Sequence, residues 1–141
     1  MHEAWQYQLR VYLSDAHADL VRSGDSDPAL LPLTEALARH GATLVSQLDA
    51  FERYVEEAEA AGPEGFSLYR WTKATLADPA KRAKHKLVFA VRVAGQEVYP
   101  RATADALEAE LTALVGPVVA RVSRHDTNPA NSLPVPEQYR S

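Results

Sequence analysis

The sequence predicts an α+β fold in which helices pack on one face of a mostly antiparallel sheet. Three features support this class: residues 5–13 alternate between apolar and polar, residues 86–99 suggest a β-hairpin, and residues 103–115 carry an apolar stripe at helical spacing. Alternation with period two is typical of a half-buried strand, and apolar residues three or four apart are typical of a helix. Because each element has an apolar face, each needs a partner to cover it.

The first strand is predicted at residues 5–13, with Trp5, Tyr7, Leu9, Val11 and Leu13 on one face and polar residues on the other. Ser14 can cap a short helix over DAHADLVR, which Gly24 can end. The polar segment 23–28 is predicted to be a loop. Asp27 before Pro28 then predicts a helix that begins at Pro28, since proline is favoured at the first helical position.

The helix that begins at Pro28 can end at Gly41 in a left-handed C-cap. Residues 42–48 fit two interpretations, because ATLVSQL can form a second strand or continue a helical stripe towards Gly62. Residues 49–61 are predicted to be helical. The secondary structure of residues 66–85 is not decided by the sequence. FSLYRW fits a strand or a first helical turn, and Pro79 marks a break or a helix start.

In the hairpin, KLVFAVRV is the first strand, AGQ the turn and EVY the returning strand. Thr103 is the predicted N-cap of the helix that follows, and Gly116 and Pro117 end it. VVARV then predicts a last strand. The domain is assigned to residues 1–124 and an extended or flexible tail to residues 125–141, in which Tyr139 is the one strong anchor.

The predicted order β-α-β-β-β-α-β, with additional helix between residues 49 and 85, is similar to the ferredoxin-like split βαβ arrangement. The resemblance is topological, and it implies no activity because that fold carries many unrelated functions.

The amino-acid composition excludes some classes of function. The chain has 141 residues, 15 basic and 19 acidic side chains and a net charge of −4, which are ordinary values for one globular domain. The lack of cysteine excludes disulfides, thiol nucleophiles and thiolate metal ligands. No N-terminal apolar run is typical of a signal peptide or a membrane span, so a cytoplasmic location without membrane partners is expected. The overall acidity makes nucleic acid an unlikely partner.

Charge is unevenly distributed along the chain. Residues 41–65 hold six acids and one base, and residues 66–101 hold eight bases and two acids. The simpler interpretation is that the two blocks are neighbouring solvated surfaces. The functional interpretation is a site for a small phosphorylated or carboxylated ligand, with stacking on Tyr69 and Trp71. Its candidate cations are Arg70, Lys73, Lys81, Arg82 and Lys84.

The histidines suggest three candidate sites, one for a metal ion and two for a general base. Asp15, His17 and Asp19 share a face only in an extended chain, so the predicted helix argues against a metal there. His85 and His125 are candidate bases, and Lys84 and Lys86 should lower the pKa of His85. The alternative for each is a solvated histidine. No motif for a serine nucleophile, a phosphate loop, a zinc helix or a dinucleotide fold is present.

Two functional hypotheses follow. The first is a noncatalytic, homo-oligomeric binding or interaction domain without cofactor, which could pair through an uncovered sheet face or hold an anionic small molecule. The alternative is a small cofactor-free enzyme with His85 or His125 as base and Arg70 or Lys73 as anion stabiliser. The aromatic residues belong either to the core or to a cleft. The candidate ligand-binding residues are Tyr69, Arg70, Trp71, Lys73, His85, Tyr99 and His125.

Overall fold

The computed structural model describes residues 6–127, so Trp5, Tyr139 and the rest of segment 128–141 lie outside the described residues. The described chain forms an α+β fold, as predicted. Its strands are β1 (Tyr7–Leu13), β2 (Ala42–Ser46), β3 (Val88–Val93) and β4 (Val119–Asp126). Its α-helices are α1 (Asp15–Ser23), α2 (Leu31–Arg39), α3 (Gln47–Ala61), α4 (Tyr69–Ala77), α5 (Pro79–Lys86) and α6 (Arg101–Thr112).

The four strands form one antiparallel sheet in the order β2-β3-β1-β4. Because β3 lies between β1 and β2 and is antiparallel to both, β1 and β2 run parallel to each other without pairing. Leu9 lies opposite Val91 of β3 and Arg124 of β4, and this register places alternate residues of the three strands on the same face.

The first face of the sheet is the one that carries Tyr7, Leu9, Val11 and Leu13, and it forms the main core. All four side chains are buried, and Phe89, Val91 and Val119 join them from the neighbouring strands. Helices α1, α2 and α6 cover this face with Ala18, Leu33, Leu37, Ala104, Leu107 and Leu111. Burying an aliphatic or aromatic side chain of this size contributes about 1.5–3 kcal/mol, so this face supplies most of the apolar stabilisation.

The local sequence explains how each early element starts and stops. α1 follows β1 directly and ends at Gly24, whose φ of 77° favours glycine. After it, Asp27 accepts a hydrogen bond from the Ala29 N–H, and a single 3₁₀ turn at Pro28–Leu30 leads into α2. Of the two interpretations of residues 42–48, the strand is confirmed for Ala42–Ser46. Ser46 then caps α3 by accepting a bond from the Asp49 N–H.

The segment that stayed open, 66–85, folds as two helices. α4 ends before Asp78, whose carboxylate accepts bonds from the N–H groups of Ala80 and Lys81 and so caps α5. Pro79 occupies the first turn of α5, where its missing N–H costs no helical hydrogen bond. Helices α3, α4 and α5 together form the long insertion between β2 and β3.

The predicted hairpin at residues 86–99 forms only in part. Ala94 and Gly95 make a tight turn with φ values of 51° and 77°, but within the described chain the only bridge between the two arms of this turn joins Val93 to Gln96. Tyr99 pairs instead with Tyr7 of β1, with N–H···O distances of 2.8 and 2.9 Å. EVY is therefore not a returning strand of β3.

Burial of Tyr99 explains this departure. Its hydroxyl accepts a hydrogen bond from the Leu9 N–H at 2.7 Å and donates to the Val91 carbonyl at 3.0 Å, and so bridges β1 and β3. The prediction of Thr103 as an N-cap is also wrong, since α6 begins at Arg101 after Pro100 and contains Thr103. At the far end, β4 continues past VVARV to Asp126.

Candidate anion-binding cleft

The second face of the sheet is the one that carries Arg10 and Tyr12 of β1 and Val88 of β3. A cleft of about 580 Å³ lies between this face and the inserted helices. Its remaining lining residues come from α3 (Gln47, Phe51), from α4 and the residue before it (Leu68, Trp71, Thr72, Thr75) and from α5 (Lys81, Lys84, His85). The cleft is large enough for a small organic molecule.

The charge on the cleft wall has one sign. Arg10, Lys81 and Lys84 are cations, and no lining residue is a carboxylate. In residues 6–127 these three cations form no ion pair. Lys86 on the same helix differs, because its ammonium lies 2.5 Å from Asp15 and 3.2 Å from Asp19. The cleft therefore keeps its positive charge, whereas the charge of Lys86 is neutralised.

Arg10 is the half-buried cation at the floor of the cleft. Its Nε donates to Gln8 Oε1 at 3.0 Å, and this is the one hydrogen bond of the guanidinium within the described residues. Burial lowers the pKa of Arg10, against an opposing effect of Tyr12. A desolvated cation that lacks a counter-ion raises the free energy of the folded state, and a bound anion would offset that cost.

His85 lies on the wall beside Phe51, with 5.0 Å between the ring centroids. Its Nδ1 lies 2.6 Å from Gln47 Oε1, which can only accept, and from this contact we assign the proton to Nδ1 and a lone pair to Nε2. Burial, and then the charges of Lys84, Arg10 and Lys81, lower the pKa of His85. The sequence predicted this direction, but Lys86 is not among the causes because it faces Asp15 and Asp19.

Trp71 and His85 are the two residues of the predicted ligand-binding set that line the cleft. Tyr69 and Lys73 instead contact Glu59 on α3, at 2.8 and 2.6 Å. The hydrogen bonds that Lys73 donates to Glu59 and to the Tyr69 hydroxyl raise the pKa of Lys73. Arg70 is exposed on α4 and does not line the cleft. The simpler interpretation of the charge blocks thus applies to Lys73, since an acid of α3 neutralises it.

The other two predicted residues lie on opposite faces of the sheet. Tyr99 is 3% exposed in the core, where burial raises its pKa and both hydrogen-bonding directions of its hydroxyl are used. His125 lies on the second face, outside the cleft, with its Nε2 3.1 Å from Ser123 Oγ. Partial burial, and then Arg10 and Arg121, lower the pKa of His125.

Arg10 and Gln47 are site residues that sequence reasoning missed. Alternation along β1 assigned Arg10 to the wet face, and Gln47 fell in the segment with two interpretations. The sequence does place Arg10 between Gln8 and Tyr12 on one face. It does not reveal that α3, α4 and α5 lie over that face, which is what makes Arg10 part of a cleft.

A metal site at DAHAD finds no support. α1 is helical there, Asp15 and Asp19 bind Lys86, and the Nδ1 of His17 lies 2.5 Å from Ser14 Oγ. Within the described part of the chain, no three His, Asp or Glu side chains are grouped to hold a metal ion.

Comparison of the chain with protein-family models, with curated proteins and with solved structures finds no match. Among the helices of residues 6–127, none combines the length and the apolar character needed to span a membrane.

Proposed function

We propose that this chain binds a small anionic molecule that carries a flat ring, in the cleft between the second face and helices α3–α5. The observation that carries the proposal is that Arg10, Lys81 and Lys84 line one cleft without a carboxylate partner in the described chain, beside the indole of Trp71. Surface cations are usually solvated or paired, so three unpaired cations around one concave site favour an anionic ligand.

The apolar part of the lining favours a ring on that ligand. Trp71, Phe51 and Tyr12 supply flat faces, and Leu68 is an exposed apolar side chain at the same cleft. Stacking on an aromatic face contributes about 1–3 kcal/mol per ring. A ligand with both a ring and an anionic group would use both halves of the wall.

A second candidate function is acid–base catalysis on the same ligand, and the observation that favours it is the geometry of His85. Gln47 Oε1 accepts a hydrogen bond from Nδ1, so Nε2 is left to accept a proton from a substrate. The lowered pKa of His85 keeps the ring neutral near pH 7. Arg10 and Lys84 would stabilise the negative charge that develops. If turnover is found, His85→Gln should abolish it while ligand binding persists.

The fold itself supports a ferredoxin-like assignment. The sheet order β2-β3-β1-β4, with β3 between the parallel strands β1 and β2, favours a split βαβ arrangement in which α3–α5 would extend the β2–β3 connection. Homo-oligomerisation and a cytoplasmic location stay predictions. The assembly hypothesis relied on an apolar second face, and Gln8, Arg10 and Arg121 make part of that face polar.

Calorimetric titration with 1-naphthyl phosphate at low ionic strength tests the binding proposal. The double variant Lys81→Gln/Lys84→Gln should weaken binding about tenfold, because exposed charge pairs are worth up to about 1 kcal/mol each and about 1.4 kcal/mol is a factor of ten in affinity. The matched control Lys73→Gln/Lys86→Gln removes the same net charge from residues that already have partners, and it should leave affinity unchanged. Equal losses in both variants, or no binding to the wild type, would refute the proposal.

A further inference from the structure

The cationic surface does not end at the cleft. On β4 the side chains of Arg121, Ser123 and His125 share the second face with β1, because Tyr12 pairs with Arg121, Arg10 with Ser123 and Gln8 with His125. We use "β4 row" for Arg121, Ser123 and His125. The β4 row holds one permanent cation, one hydroxyl and one histidine, and no carboxylate.

The two α6 acids that bind β4 lie on the other side of the sheet. Arg124 lies on the first face, where its guanidinium binds Asp105 at 2.7 Å and Glu108 at 2.9 Å. Asp126 pairs in register with Tyr7, which also belongs to the first face. The alternation of β4 therefore separates an ion-paired arginine on one face from an open cationic row on the other.

Arg10 joins the β4 row to the cleft. Its charge lowers the pKa of His85 on α5 and also that of His125 on β4, so the positive potential reaches both residues from Arg10. Adjacent strands lie about 4.8 Å apart. Ser123, directly opposite Arg10, is therefore within reach of a ligand group that contacts Arg10.

Arg121 is an available donor in the row. Its guanidinium carbon lies 4.0 Å from the centroid of the Tyr12 ring, which orients the planar group over the second face. Arg121 is exposed, and in the described chain it forms no ion pair. A planar guanidinium held over a ring suits phosphate oxygens, which it can bind through two N–H groups at once.

Resting on the binding function proposed above, we propose that the ligand is an elongated polyanion of the nucleoside polyphosphate class. The flat base would occupy the cleft beside Trp71, and the phosphate chain would extend over Arg10 to Arg121, Ser123 and His125. A ligand with a single carboxylate or phosphate would need only the cleft cations. The β4 row gives a second group of donors, which a chain of two or three phosphates can reach.

Titrations with AMP and ATP in the presence of EDTA test this extension. ATP should bind the wild type about tenfold more tightly than AMP, and Arg121→Gln should remove that difference while affinity for 1-naphthyl phosphate stays unchanged. His125→Gln is a second variant at the far end of the row and should reduce the difference in part. Arg92→Gln is the control, since Arg92 is a second-face arginine already paired with Glu97 at 3.0 Å.

The outcomes separate the two proposals. If 1-naphthyl phosphate binds but ATP binds no more tightly than AMP, or if Arg92→Gln acts like Arg121→Gln, the polyphosphate assignment is overturned and the cleft proposal stands. If neither nucleotide binds but 1-naphthyl phosphate does, the polyphosphate assignment is likewise overturned and the cleft proposal stands. If none of the three ligands binds, both proposals fail. A single-stranded oligonucleotide that binds far more tightly than ATP would overturn the small-ligand class in favour of nucleic acid.

Discussion

The two faces of the sheet differ in what covers them. On the first face, residues of β1 pack against α1, α2 and α6 in a closed apolar core. On the second face, the intervening residues of β1 meet α3–α5 across an open, cationic cleft. Neighbouring residues of β1 thus lie in two different environments: one is packed in the apolar core, and the next lines a cationic cleft. If the cleft binds the proposed ligand, we expect substitutions along β1 to alter stability and ligand affinity almost independently.

The largest expected difference is between Leu9→Ala and Gln8→Ala, which alter neighbouring residues on opposite faces. Leu9 is 0% exposed, so its truncation should leave a cavity and lower the free energy of unfolding by about 2–5 kcal/mol. Gln8→Ala should change it by less than about 1 kcal/mol, since Gln8 is only half-buried and its truncation leaves no cavity in the core. Urea unfolding followed by circular dichroism measures both. Similar losses would contradict the division between the faces.

Tyr99→Phe tests the polar link within the apolar face. Removing the hydroxyl leaves the buried Leu9 N–H and Val91 carbonyl without the group that bridges them, so we expect a loss of about 1–3 kcal/mol in unfolding free energy. Ligand affinity should not change, because Tyr99 lies on the face away from the cleft. The same urea experiment gives the stability, and a loss of naphthyl phosphate binding would show that the faces are coupled.

Arg10→Met should have a smaller effect on stability, and of the opposite sign. The substitution removes a half-buried cation that has no carboxylate partner in the described chain and keeps much of its apolar length. We expect the unfolding free energy to stay constant or rise by up to about 1 kcal/mol, while anion binding is lost. A destabilisation well beyond 1 kcal/mol would assign Arg10 to the structure of the sheet rather than to the site.

The smallest expected effect is a dependence of stability on pH. His85 has a lowered pKa in the folded chain and an ordinary one near 6.5 in the unfolded chain, so the unfolded state takes up its proton first as pH falls. Stability should be full above about pH 6.5 and should decline below it, towards the folded pKa. Urea midpoints at pH 7.5 and 5.5 should differ less in His85→Gln/His125→Gln. If the difference between the two midpoints is the same in the variant and the wild type, the two histidines do not titrate as inferred.

Much of the first face could be predicted from sequence because its pattern is local. The alternation from Tyr7 to Leu13, the capping at Asp27 and the glycine at residue 24 each act within a few residues. The pairing of Tyr99 could not be predicted, because it depends on a hydroxyl reaching a backbone distant in sequence. A local turn at residues 94–95 was correct, and the strand expected after it was not.

The cleft was predicted only in part for the same reason. Trp71, Lys81, Lys84 and His85 come from one stretch of the chain, so their charge and aromatic content were visible in the sequence. Arg10 comes from a strand far from them, and only the insertion of α3–α5 over the second face brings it to the same cavity. Lys73 belongs to the same basic block of residues 66–101 as Lys84, and its partner Glu59 was not predictable from the sequence.

The most direct test of the central claim is a titration of ¹⁵N-labelled protein with 1-naphthyl phosphate, followed by backbone and indole chemical shifts. Saturable shifts should cluster at Arg10, Tyr12, Trp71, Lys84 and His85 and leave the first-face residues of α6 unmoved. Shifts spread over both faces, or concentrated on α6, would contradict the assignment of binding to the cationic cleft.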